Sequence, residues 1–214
     1  QGIPDEFRGI DLEFIDYGKS LEDSDVANPF MKPIEEVNGF FMPPGQQRTI
    51  LLHGGMGTGK STVVEHYLPK VEAELIQREN REVRVLSICF RQMLARNLAA
   101  KWNLIAYNDE EIGQGSLAGY NKISCQVDSI KKCGEMDETY RIQPYDIVIL
   151  DESESILSHL SSRTLDRRRG EVFGLFKMLV KTAHTVIAAD ADMGRRTFEF
   201  IRRVRANRTE SPNL

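Results

Sequence analysis

From residue 48 onward the apolar positions follow two alternating periods. Arg48–Leu52, Val83–Phe90, Asp146–Leu150 and Thr185–Ala189 are runs with few interruptions, the pattern of strands covered on both faces of a parallel sheet. Ile123–Val127 and the short Leu104–Tyr107 read as further strands. Between them the spacing turns helical: Val64, Leu68, Val71 and Leu75, then Leu94, Leu98 and Trp102, then Ile156, Leu157 and Leu160. Val172, Leu175, Phe176 and Leu179 mark another helix, and Phe198, Ile201 and Val204 a closing one. Pro69 lies inside the first stripe, which predicts a kink or a split there. Asp109–Gly119 reads as a Gly-containing loop and Asp128–Cys133 as a short helix. Strands alternating with helices predict an α/β fold: a parallel sheet with helices on both faces, three layers α/β/α, with ligand at the strands' C-terminal ends.

Residues 1–47 break that rhythm. Acidic and small polar residues dominate, prolines recur at 29, 33, 43 and 44, and at most a short helix at Ile34–Val37 is suggested. The expected organisation is an acidic lead-in over 1–47, one domain over 48–206 and a tail over 207–214. The net charge of −4 hides an asymmetry: residues 1–50 carry 4 basic and 10 acidic side chains, residues 161–214 carry 12 and 6. A basic last quarter suits nucleic acid, and equally suits a solvated helical face or a face against a neighbouring domain. The three cysteines, Cys89, Cys125 and Cys133, are an odd number without metal-ligand clustering; Cys125 and Cys133 could approach one another, but buried thiols in a reducing compartment are expected. No apolar run approaches a membrane span and no signal-peptide core is evident. An intracellular location is expected: nucleus, cytoplasm or a viral replication compartment.

Chemistry enters at His53–Thr62, HGGMGTGKST, which satisfies G-x-x-x-x-G-K-[ST] directly after a strand and before a helix. Glycines let the backbone curl round a phosphate, and the helix start adds its positive dipole end. Gly54, Gly55, Met56, Gly57, Thr58, Gly59, Lys60, Ser61 and Thr62 are the expected nucleotide-binding residues. Lys60 would neutralise the β- and γ-phosphates, and the Ser61 hydroxyl would hold Mg²⁺. Asp151 and Glu152 follow the strand Asp146–Leu150 as a Walker B pair. Asp151 would share the metal and Glu152 would polarise the attacking water. Glu154 suits either support for that pair or plain negative charge at a helix start. Asp190 and Asp192 end the last strand, where either could sense the γ-phosphate or pair with Arg195 or Arg196; Asp192 equally suits a helix cap. Arg91, Gln92, Gln126 and Ser129 also sit at strand ends, where such groups suit a phosphodiester backbone or cap the helices that begin there.

Taken in order, GGMGTGKST, VLSICFRQMLARNLA, ISCQVDSI, YDIVILDESESILSHLSS and TVIAADADM resemble motifs I, Ia, Ib, II and III of superfamily 2 helicases. The pattern is similar, more narrowly, to the herpesvirus-type replication origin-binding helicases, with Met56 in the loop, Gln126–Ile130 as Q-x-[DE]-S-[LI], Leu150–Glu152 as the LDE box and Asp190–Ala191 as the DA box. The resemblance covers residues 48–206 and implies the first RecA-like domain of an ATP- and Mg²⁺-dependent DNA helicase. It implies Lys60, Ser61, Asp151 and Glu152 at ATP, Asp190 coupling ATP to DNA, and Arg91 and Gln126 near single-stranded or forked DNA. The third motif is DAD and not Ser-Ala-Thr, and no adenine-reading Q motif precedes the loop. A second RecA-like domain, with its arginine fingers, is not found in this chain, so slow hydrolysis by the chain alone is expected.

Two other readings use the same loop. A nucleotide or small-molecule kinase would use Arg167–Arg169 as a basic lid, but Glu152 is a water activator and a kinase excludes water. A non-enzymatic, ATP-gated scaffold of a replication assembly would keep the loop without turnover.

Overall fold

The computed structural model describes residues 12–16, 48–110, 116–136, 140–161 and 169–205. The suggested helix Ile34–Val37, most of the 1–47 lead-in, part of the Asp109–Gly119 loop, Arg167, Arg168 and the 207–214 tail lie outside them. The strands are β1 (Leu12–Asp16), β2 (Arg48–His53), β3 (Val85–Cys89), β4 (Ile105–Ala106), β5 (Lys122–Gln126), β6 (Glu135–Met136), β7 (Tyr140–Arg141), β8 (Ile147–Asp151) and β9 (Thr185–Asp190). The helices are α1 (Lys60–Glu79), α2 (Gln92–Trp102), α3 (Ser153–Ser161), α4 (Arg169–Thr182) and α5 (Arg195–Arg205), with a 3₁₀ segment at Val127–Cys133.

Seven strands form one parallel sheet in the order β1-β2-β9-β8-β3-β5-β4, and β6 and β7 make a separate antiparallel pair. Every residue of β3 and β9 is buried, as are the first four of β8. Such strands need cover on both faces. The helices supply it in two groups: α1 packs on α2, while α3, α4 and α5 pack on one another.

The helical stripe of α1 holds as read. Val64, Tyr67, Leu68, Val71 and Leu75 are buried, and the helix runs unbroken for 20 residues with Pro69 inside it. The predicted split does not occur, because Pro69 lies on the exposed face, where the carbonyl it leaves without a partner can turn to water. Beta pairing also reaches into the 1–47 segment, where no strand was expected: Leu12–Asp16 pairs in parallel with Thr49–His53. The basic last quarter is not one solvated face. Arg205 is buried and donates to Thr49 Oγ1 (3.0 Å) and to the carbonyls of Val180 (3.0 Å), Ala183 (2.6 Å) and His184 (3.3 Å). It ties the end of α5 to the foot of the sheet. The three cysteines are buried and free, and burial pushes the Cys89 thiol up to about 12.

Candidate nucleotide-binding site

Strand order gathers the predicted site. His53, at the mouth of the Gly-rich loop, is in register with Asp190, and Ala189 with Asp151. Motifs nearly 140 residues apart in sequence thus end on three adjacent strands, β2, β9 and β8, within about 10 Å of one another at the usual strand spacing. Two bonds fasten the mouth: Gly54 N donates to Asp190 O (3.3 Å), and His53 Nε2 lies 3.1 Å from Ala191 O.

The loop curls because two glycines occupy the left-handed region, Gly57 at φ 77° and Gly59 at φ 87°. A side chain there would cost about 1 kcal/mol or more. Thr58 closes the curl, its hydroxyl donating to Gly55 O (2.9 Å). Lys60 turns its ammonium inward to the carbonyls of Gly54 and Gly55, the latter at 2.8 Å. Burial lowers its pKa, opposed by Asp151, Asp190, Asp192 and Glu152. Those four acids therefore lie within electrostatic reach of the loop lysine. Gly55, Met56 and Gly57 form the exposed apex, with Met56 94% exposed.

Asp151 ends β8. Burial raises its pKa to about 6, with Glu152 and Asp190 adding to the rise and Lys60 and Lys101 opposing it. A carboxylate kept so far from water, among other acids, favours a cation beside it. Ser61 offers a hydroxyl oxygen on the adjoining helix, so the donor set is hard oxygen, which suits Mg²⁺. Glu152 follows with φ 59°. A non-glycine residue held left-handed carries strain of about 1 kcal/mol, of the kind that collects at working sites.

Asp190 is 6% exposed, and both its carboxylate oxygens are engaged: Oδ2 accepts from Glu154 N (2.7 Å) and Oδ1 from Asp192 N (2.8 Å). It joins the start of α3 to the turn after β9. Glu154 makes the return connection, its Oε1 accepting from Gly194 N (3.0 Å) and Thr197 N (2.8 Å) at the start of α5. Ser153 Oγ and Thr197 Oγ1 add a buried contact of 3.1 Å. The two strand ends are thus joined through one hydrogen-bonded network. Glu154 was open between two roles in the sequence; it caps a helix that is not its own.

Arg91 and Gln126 end up on the other half of the sheet top, after β3 and at the end of β5. Arg91 is exposed, with its guanidinium 4.8 Å from the centre of the Phe90 ring. Gln126 is woven into the fold: its Nε2 donates to Phe90 O (3.0 Å) and its Oε1 accepts from Tyr107 OH (3.1 Å). Sequence reasoning missed Lys101. Its ammonium donates to Ser61 Oγ (3.0 Å) and Thr62 Oγ1 (2.8 Å), while Trp102 Nε1 donates to Ser61 O (2.9 Å). Trp102 read only as a core residue, and nothing in the local sequence marks Lys101, since its partners lie some 40 residues away.

No helix among the described residues is long and apolar enough to cross a membrane. A model of the family described as origin of replication binding protein matches residues 22–209. The chain is 29% identical over 166 residues to an uncharacterised, helicase-named protein of Acanthamoeba polyphaga mimivirus, covering 73% of this chain and 15% of that one. It is 31% identical over 152 residues to the replication origin-binding protein of Human herpesvirus 6A (strain Uganda-1102), covering 70% and 17%. The chain therefore spans about a sixth of the length of these curated relatives. Among solved structures, the Sulfolobus solfataricus SWI2/SNF2 ATPase core in complex with dsDNA matches with a TM-score of 0.45 at 16% identity, over 70% of this chain and 30% of that one. With the family match running from the lead-in through α5, the chain belongs to the origin of replication binding protein family.

Proposed function

We propose that this chain is the ATP-binding half of a helicase-type motor ATPase that acts on DNA during replication. The observation that carries the reading is the position of Asp190 between the loop and Asp151: its backbone carbonyl accepts from Gly54, its carboxylate is tied to the start of α3 and the turn after β9, and Asp151 and Glu152 lie within electrostatic reach of Lys60. Lys60 cancels charge on the β- and γ-phosphates, and backbone N–H groups of the loop bind their oxygens. Ser61 and Asp151 would hold Mg²⁺, which neutralises charge on the phosphates when bound. Glu152 orients and polarises the attacking water. Asp190 transmits any shift of the Glu152–Glu154 turn to α5, through Glu154 and its bonds to Gly194 and Thr197. Arg91 meets the DNA backbone beside Phe90, and Gln126 holds that edge in shape as well as facing it.

Glu152 also sets this reading apart from a phosphotransferase, in which water at the γ-phosphate is a wasteful competitor. The test is nucleotide binding and DNA-stimulated phosphate release by the purified protein. Lys60→Ala should lose nucleotide binding. Glu152→Gln should keep binding and lose about 10²-fold or more in turnover, while holding DNA more tightly in ATP. Unchanged turnover in Glu152→Gln, or phosphate appearing on a nucleoside acceptor, would overturn the proposal.

A further inference from the structure

The feature that the site's expected chemistry leaves unexplained is the second lysine. Lys101, in the last turn of α2, sends its ammonium onto the hydroxyls of Ser61 and Thr62. Ser61 is the residue whose hydroxyl a loop of this type offers to a divalent cation. A serine oxygen has two acceptor positions, so metal and ammonium could share it only as two like charges a few ångströms apart, where repulsion is strong. A second place for the ammonium exists. Glu65, one turn further along α1, has its carboxylate 3.8 Å from the same nitrogen. The backbone beneath is pinned, because Trp102 Nε1 donates to Ser61 O. The move from hydroxyls to Glu65 therefore needs only side-chain rotation, with α1 and α2 staying in place. The charge of Lys101 also reaches Asp151, the other expected metal ligand.

We infer that Lys101 is a built-in countercation of the nucleotide site, which competes with Mg²⁺ for the Ser61 hydroxyl and withdraws to Glu65 when the metal–nucleotide loads. This rests on the proposed nucleotide site and adds a residue that sets how strongly nucleotide binding depends on metal. Lys101 is a positioning residue: it touches the metal's ligand and not the reacting atoms.

The test is the ratio of ADP affinity with Mg²⁺ to that without, read by titrating the purified protein with N-methylanthraniloyl-ADP in excess Mg²⁺ or in EDTA. Removing the ammonium takes a cation from the phosphates in EDTA and a rival from the metal in Mg²⁺. Lys101→Met should therefore raise the ratio about 3- to 10-fold, while Lys101→Arg, which keeps the charge, stays near the wild-type value. Thermal melts of both variants check folding; the Lys101 side chain is 31% exposed, so substitution opens no core cavity. An unchanged ratio in Lys101→Met would overturn the inference, as would a smaller one, which would make Lys101 a support for metal binding. If the wild-type protein binds no ADP in either buffer, the nucleotide-site reading itself has failed. If it binds and Mg²⁺ tightens binding, but the variant ratio does not move, only the role of Lys101 has failed.

Discussion

Asp151→Asn replaces one buried charge by an isosteric neutral group, and its consequences can be worked through with sign and size. Burial first, then Glu152, raises the Asp151 pKa from 3.8 to about 6. The folded protein therefore binds this proton more tightly than the unfolded chain. Between about pH 4 and pH 6 the wild type loses stability as pH rises, and above about pH 6 the whole penalty is present. A rise of that size corresponds to about 3 kcal/mol at neutral pH. For a chain of this length that is about 6–12 °C in melting temperature. In nucleotide-free buffer with EDTA at pH 7.5, Asp151→Asn should melt above the wild type by up to this amount, and the gap should close as pH falls toward 4. Adding ADP and Mg²⁺ should reverse the ranking, because ligand that binds the folded wild type stabilises it by mass action and the variant lacks the carboxylate proposed to hold the metal. The assay is a set of thermal melts across pH 4–8 in both buffers. A variant no more stable than the wild type at pH 7.5 without nucleotide would refute the electrostatic account of this site.

Two further substitutions probe the block that joins the strand ends. Glu154→Ala removes the acceptor for Gly194 N and Thr197 N at the start of α5, and should cost about 1–2 kcal/mol in urea denaturation; Glu154→Gln, which keeps a carbonyl oxygen there, should recover most of it. Glu152 sits at φ 59°, so Glu152→Gly should be more stable than Glu152→Ala by about 1 kcal/mol, while phosphate release is lost in both.

The alternating periods and the fixed-spacing loop were legible because both are local. A buried parallel strand must be apolar throughout, and the loop motif holds its glycines, lysine and hydroxyl within a few residues. Pro69 shows the edge of that legibility: its effect on α1 depended on which face met water. Likewise the five-residue strand Leu12–Asp16 carries too little period to stand out in an acidic segment, and pairing with β2 defines it.

The sequence by itself determined the α/β class, the glycine-rich turn between β2 and α1 and the carboxylate pair at Asp151–Glu152, since each follows from spacing along a single strand–turn–helix unit. Only the tertiary structure decided which strand ends meet. Placing β9 between β2 and β8 puts Asp190 beside the loop and turns Glu154 into the cap of α5, while placing β5 between β3 and β4 ties Gln126 between Phe90 and Tyr107. The packing of α2 on α1 brings Lys101 onto Ser61, which the opening motif could not announce. These are contacts between segments 19 to 138 residues apart in the chain, set by the order in which crossovers lay strands side by side, and no local period encodes that order.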